Sequence, residues 1–288
     1  MTQHSTTQPS SPGSGPAKRP AGRAGRDLGA AIGVGLAIGV LVVLALYLYR
    51  PAFGLIVLAA VVVAVREVAL AVRHAAIEVA AVPLMLGGAA MCLSAWFYGL
   101  PGLAIALLMT FLAATTWRMS KPVDGFLISA AISAFIAVYI PFPAGFAILM
   151  ANREAGALWI ITWALAVVCN DTGGYAAGVL FGKHPMAPFI SPKKSWEGFA
   201  GSLVAASVAS VLMLSLALDG QWWHGIMFGL AIAMIATLGD LAESMIKRDL
   251  GIKDMSNLLP GHGGVMDRMD SLLFSAPIAW MLLTLFVA

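Results

Sequence analysis

Nine apolar stretches, near 28–49, 51–70, 79–98, 101–117, 124–142, 157–181, 199–218, 223–244 and 270–288, take up most of the chain. Each approaches the roughly 20 residues that an α-helix needs to cross a hydrocarbon core about 30 Å thick. Helices are expected because an apolar segment in lipid must satisfy its own backbone hydrogen bonds. The pattern therefore predicts an all-α fold, a polytopic integral membrane bundle of about nine transmembrane helices. The first five stretches contain almost no polar chemistry. The second half differs: Asn170 and Asp171 sit inside 157–181, and Asp240, Glu243, Ser244 and Lys247 follow i, i+3, i+4, i+7 spacing where 223–244 ends. Such a stripe turns one helix face polar and cannot face lipid.

Composition supports the membrane reading and adds an orientation. Of 288 residues 60% are hydrophobic and 11% charged, and mean hydropathy is +0.89; soluble domains carry about 25% charged residues. With nine spans and the N-terminus inside, fifteen Lys and Arg fall on the inner side and only Arg50 and Arg153 outside. That bias is the signature of cytoplasmic loops, so the expected location is the inner (plasma) membrane, multi-pass, with the N-terminus and the 183–198 and 245–269 loops cytoplasmic. The pI near 9.0 reflects this sorting and not a nucleic-acid partner. Residues 1–26 read as a disordered basic tail, 27–155 as N-terminal transmembrane helices, and 156–288 as the region that carries chemistry. The first apolar segment is long and lacks a cleavage pattern, so it is expected to be retained. The glycines from Gly33 to Gly39 are read as a close helix-packing face, since they follow no strand and lack nucleotide-loop spacing. Cys92 and Cys169 lie within spans without metal or disulfide spacing and read as packing residues.

Charge and glycine concentrate between Ser244 and Asp270. Lys247, Arg248, Lys253 and Arg268 stand beside Asp249, Asp254, Asp267 and Asp270, around a turn of Pro260, Gly261, His262, Gly263 and Gly264. Carboxylates for a metal, cations for phosphates and a glycine loop are the parts of phosphoryl transfer. Asp267 and Asp270 are three apart, so both should face the helix that carries Asp240. Together these three offer hard oxygen ligands suited to Mg²⁺ shared with substrate phosphates. The competing structural reading is a salt-bridged network with Lys247, Arg248 and Arg268. Upstream, Asp171 and Tyr175 share a helix face, and Gly174, Gly178 and Gly182 recur every four residues, which predicts a close helix contact beside a polar cavity. The run Ser191 to Gly198 places Lys193 and Lys194 near Glu197, either for phosphate or for anionic headgroups of the bilayer.

Ser244-Met-Ile-Lys247-Arg248, Lys253-Asp254, Pro260-Gly-His262-Gly263-Gly264 and Asp267-Arg268-Met-Asp270 closely resemble the signature of phosphatidate cytidylyltransferases, the CDP-diacylglycerol synthases. Asn170-Asp171, Ser191-Pro-Lys193-Lys194-Ser-Trp-Glu-Gly198 and Gly239-Asp240 resemble the family's other polar segments, so the likeness covers roughly 160–270. Gly174 departs from the bulkier residue expected there. The resemblance implies a helical, dimeric membrane enzyme whose substrates are CTP and phosphatidate and whose products are CDP-diacylglycerol and pyrophosphate. It implies Mg²⁺ and allows a monovalent cation such as K⁺. It assigns catalytic roles to Ser244, Lys247, Arg248, His262 and Arg268, with Ser244 and His262 orienting phosphates. It assigns substrate contacts to Asn170, Asp171, Ser191, Lys193, Lys194, Lys253, Asp254, Gly263 and Gly264, and metal ligation to Asp240, Asp267 and Asp270.

Two other readings use some of the same residues. A CTP-dependent lipid kinase of the polyprenol type would release CDP instead of pyrophosphate. An ion-coupled transporter would use Asp171, Asp240 and Glu243 as an intramembrane relay, but it has no need of the cytoplasmic glycine loop and its cations.

Overall fold

The structure, a computed structural model, describes residues 28–256, 258 and 263–287. The expectation for the 1–26 tail and the roles given to His262 and the Pro260-Gly261 turn fall outside these residues. The described chain runs α1 (Leu28–Leu48), α2 (Arg50–His74), α3 (Ala81–Met119), α4 (Phe126–Tyr139), α5 (Pro141–Ala151), α6 (Gly156–Phe181), β1 (Pro185–Ala187), β2 (Ser191–Ser195), α7 (Trp196–Ala217), α8 (Trp222–Asp249) and α9 (Met266–Val287). Among the described residues seven helices are long and apolar enough to cross a membrane, with α4 and α5 joined as one span, 126–151.

The difference from nine has a physical cause. Helix α3 is 39 residues long and broken at Gly99, whose φ of 65° and ψ of −152° are accessible chiefly to glycine. Its two arms fold back on each other: a Cβ at Gly87 would collide with the Thr110 side chain, and one at Gly102 would lie 2.7 Å from the Ser94 carbonyl. The arms correspond to the predicted 79–98 and 101–117 segments. Counting both arms and the 21-residue α1 recovers nine apolar segments among the described residues. The fifth segment reaches Ala151 instead of ending at 142, because α5 continues α4 past a bend at Ile140 and is buried along nearly its whole length.

The two ends of the bundle carry different polar ties. At one, Arg50 donates to the carbonyls of Arg153 (3.1 Å) and Glu154 (2.9 Å), and Asn152 donates to that of Trp96 (2.9 Å). Arg50 and Arg153, the two cations set apart by the charge count, thus meet. At the other end Arg118 donates to the carbonyls of Pro122 and Asp124, both at 2.6 Å. The packing role given to the 33–39 glycines is corrected: Gly33, Gly35 and Gly39 have nothing within 4 Å of a Cβ position, since α1 packs through Val42, Ala45 and Leu46 nearer its other end.

The α6–α7 contact is close, as the glycine spacing predicts. A Cβ at Gly201 would sit 2.8 Å from the Gly173 carbonyl and collide with Ala177, and one at Gly174 would strike Ser202 Oγ. The 183–197 connection, expected as a loop, folds into an antiparallel hairpin of β1 and β2. Glu197 closes it: its carboxylate accepts from the Lys183 and His184 amides (3.1 and 3.2 Å) and meets His184 Nδ1 at 2.5 Å.

Gly201→Val should therefore wedge α6 from α7 at a cost of about 1–3 kcal/mol, the usual range for overpacking. Thermal unfolding of the purified protein in detergent should show a lower midpoint for Gly201→Val and none for Gly39→Ala; equal midpoints would refute the close packing.

Candidate active site

Helices α6, α7 and α8 and the hairpin border a cavity of about 300 Å³ whose polar wall includes Asn170, Asp171, Lys193, Lys194, Thr237 and Asp240. The glycine contacts shape it: with α6 and α7 drawn together at Gly173 and Gly201, Ser202 Oγ donates to the Asn170 carbonyl at 2.7 Å. Asn170 in turn donates to Asp171 at 2.9 Å, while its buried Oδ1 has no hydrogen-bond partner. Lys194 lies 2.5 Å from Asp240 Oδ2. Because Glu197 is engaged with His184, it leaves both lysines of the hairpin to the cavity.

A second cavity, about 230 Å³, adjoins the first and shares Lys193 with it. Ser191, Ser244, Lys247, Arg248 and Lys253 complete its polar wall. Among the described residues hydroxyls and cations make up this polar wall without a carboxylate, a wall matched to phosphate oxygens. Arg248 reaches back to the hairpin, with Nε 3.5 Å from the Ile190 carbonyl.

Behind the chambers, charges are paired at depth. Lys247 Nζ lies 2.5 Å from Glu243, whose side chain is 0% exposed, and donates to Asp267 Oδ1 at 2.9 Å. The other Asp267 oxygen accepts from the amides of Gly264 (2.7 Å) and Met255 (3.0 Å). This carboxylate thereby holds the loop before α9 by both its ends. Gly263 follows with a φ of +79°, and a Cβ there would approach Asp267 Oδ2 at 2.8 Å. Helices α8 and α9 meet where a Cβ at Gly239 would lie 2.7 Å from the Asp270 carbonyl, so Asp240 and Asp270 come within electrostatic reach of each other and of Asp171.

Sequence reasoning missed Glu67. It is 3% exposed on α2, and its carboxylate accepts from Ser256 Oγ (2.5 Å) and from the amides of Val265 (3.1 Å) and Met266 (2.9 Å). It satisfies the free N–H groups at the start of α9, where a negative charge is favoured. Gly264 packs directly on it, with a Cβ position 2.7 Å from Glu67 Oε2. The available signal was an ionisable residue inside an apolar segment.

The predicted residues divide accordingly. Asn170, Asp171, Lys194 and Asp240 line the first chamber, Ser191, Ser244, Lys247, Arg248 and Lys253 the second, and Lys193 both. Asp254, Gly263, Gly264 and Arg268 belong to the loop and first turn of α9 and line neither chamber. Asp267 and Asp270 both face α8, as their spacing predicts, but the set Asp240, Asp267 and Asp270 is not assembled as one metal centre. Asp267 is taken by an ammonium and two amides, and among the described residues no three acids, histidines or cysteines converge on a metal position. Asp240, itself paired with Lys194, stands in the wall of the first chamber with the orphaned Asn170 Oδ1, and Asp270 lies within electrostatic reach of it. That set fits Mg²⁺, which takes one or two carboxylates and completes its shell with water and substrate phosphates.

The cytidylyltransferase family model matches residues 30–286. The phosphatidate cytidylyltransferase of Mycobacterium bovis is 41% identical over 259 residues, covering 85% of this chain and 85% of the relative. That of Mycobacterium leprae is 42% identical over 261 residues, covering 85% and 84%. The Bacillus subtilis phosphatidate cytidylyltransferase is 37% identical over 185 residues, covering 64% and 66%.

Replacing Glu67 by Gln removes the charge and turns an N–H₂ toward donors that need an acceptor. Hydrogen bonds to charged groups contribute about 1.5–3 kcal/mol each, so hydrogen exchange at Val265 and Met266 should rise at least about tenfold. Unaltered protection at both amides would remove Glu67 from this role.

Proposed function

The chain belongs to the cytidylyltransferase family, and we propose that it transfers the cytidylyl group of CTP to phosphatidate, giving CDP-diacylglycerol and pyrophosphate. The observation that carries this reading is the pair of adjoining chambers that share Lys193: one with carboxylates at its wall, the other with a polar wall that, among the described residues, is made of cations and hydroxyls. Relatives that are 41–42% identical over 85% of the chain and are named phosphatidate cytidylyltransferases support it.

In this reaction a phosphatidate phosphate oxygen attacks the α-phosphorus of CTP, the bond to the β-phosphate oxygen breaks, and pyrophosphate leaves. The attacking oxygen is already an anion, so no protein nucleophile is required. The obstacle is repulsion between two polyanions. Lys193, Arg248 and Lys253 offset that charge, and Ser191 and Ser244 supply neutral contacts that orient phosphate oxygens. Lys247 stands at the same wall with its position fixed by Glu243 and Asp267. Asp240 and Asp270 would hold Mg²⁺, and a bound Mg²⁺ supplies positive charge to phosphate oxygens in the transition state. Asp267 serves the loop instead. The charge sorting supports a multi-pass protein of the inner (plasma) membrane with this end of the bundle toward the cytoplasm, where CTP is found.

Purified protein given CTP and phosphatidate in Mg²⁺ should yield CDP-diacylglycerol and pyrophosphate in equal amounts; release of CDP with a phosphorylated lipid would point instead to a lipid kinase. Asp240→Asn and Asp270→Asn should each lower turnover by about a hundredfold or more, the loss of some 2.7 kcal/mol at 1.36 kcal/mol per tenfold. Asp249→Asn, at the exposed end of α8, should stay within about threefold of wild type.

A further inference from the structure

A third polar cavity, of about 350 Å³, lies away from both chambers, between the end of α2 and the two ends of α3. Its wall holds Arg66, Arg73 and Lys121, with Glu78 as its acid and Trp117 and Leu70 among its apolar members. Arg66 and Arg73 are seven residues apart, two helical turns, so both project from one face of α2. Lys121 comes from the turn after α3. Among the described residues the side chains of Arg66, Arg73 and Lys121 make no ion pair or hydrogen bond, whereas nearby Arg118 donates through both terminal nitrogens to the carbonyls of Pro122 and Asp124. Three cations share one cavity with a single carboxylate that pairs with none of them. The cavity wall therefore carries an excess of positive charge among the described residues, and an anionic ligand would complement it.

The surroundings select the kind of anion. Trp117 is 49% and Leu70 42% exposed, so the cavity opens onto apolar surface that a membrane helix presents to lipid. An indole beside basic side chains at a helix end is the arrangement of a membrane interface, and basic pockets between transmembrane helices take lipid headgroups. We propose that this cavity binds the phosphate headgroup of an anionic phospholipid, with the acyl chains lying along Leu70 and Trp117. The site is separate from the transfer reaction and does not depend on it. Its cations differ from those that merely mark the inner side of a membrane protein, because they converge on one volume.

Native mass spectrometry of the full chain released from detergent would read the occupancy directly, using phosphatidylglycerol, phosphatidylcholine and, separately, inorganic phosphate as probes. Wild-type protein should retain one more phosphatidylglycerol than the triple variant Arg66→Gln, Arg73→Gln, Lys121→Gln, with no difference for phosphatidylcholine. Lys121→Gln alone, a change in an exposed turn that leaves the helices intact, should weaken retention about fivefold. Equal phosphatidylglycerol retention in wild type and both variants would overturn the site. A loss that extends equally to phosphatidylcholine would reduce it to apolar adhesion. Retention of inorganic phosphate that the variants abolish, without any lipid difference, would overturn the lipid assignment.

Discussion

Lys247 Nζ, held 2.5 Å from Glu243 and 2.9 Å from Asp267, is the contact around which the polar end of the bundle is organised. Its two partners are 0% and 6% exposed at the side chain. Without the ammonium, two carboxylates would be left close together with little solvent, and removing one member of a buried ion pair costs about 3–5 kcal/mol. The cluster joins three levels of structure. Glu243 and Lys247 are successive turns of α8, Asp267 opens α9, and the second oxygen of Asp267 gathers the Met255 and Gly264 amides. Glu67 extends the same logic from α2 by taking the amides of Val265 and Met266. A loop rich in glycine, which has the most conformational freedom to lose, is thus pinned by two carboxylates from opposite halves of the chain.

Close backbone approach does the complementary work. Gly173 and Gly201 bring α6 and α7 together, and Gly239 brings α8 against Asp270. Small residues at such crossings are how helices associate when lipid removes the hydrophobic driving force. With no side chain at the crossings, Asp270 is drawn near Asp171 and Asp240, which line the first chamber. The hairpin then inserts Lys193 and Lys194, and its own strand geometry is secured by Glu197, which would otherwise compete for those lysines.

Most of the helical segments were legible because their length and apolarity are set by the bilayer. The α6–α7 contact was legible because a four-residue glycine spacing has few other uses. Glu67 was not, and the reason lies in where the apolar pattern stops: cutting the second segment at 70 leaves Arg66-Glu67 looking like its frayed end, whereas α2 continues to His74 and carries Glu67 inward. Spacing also showed that Asp267 and Asp270 face α8, but not which groups each would meet, since that depends on the loop folding back onto Asp267. The glycines of α1 show the opposite error. A small-residue stripe states that a close approach is sterically open, and among the described residues nothing makes it. The hairpin was hidden because its closure depends on Glu197 reaching residues 13 and 14 positions away.

The proposed function implies a division of labour among carboxylates, in which Asp240 and Asp270 would hold Mg²⁺ while Asp267 holds the loop. Turnover measured as a function of Mg²⁺ concentration in Asp267→Asn, beside Asp240→Asn, tests that division most directly. The predicted result is a lower plateau for Asp267→Asn with half-saturation at the wild-type Mg²⁺ concentration, and a shift of at least about tenfold to higher Mg²⁺ for Asp240→Asn. An equal shift in both variants would contradict the account and return Asp267 to the metal site.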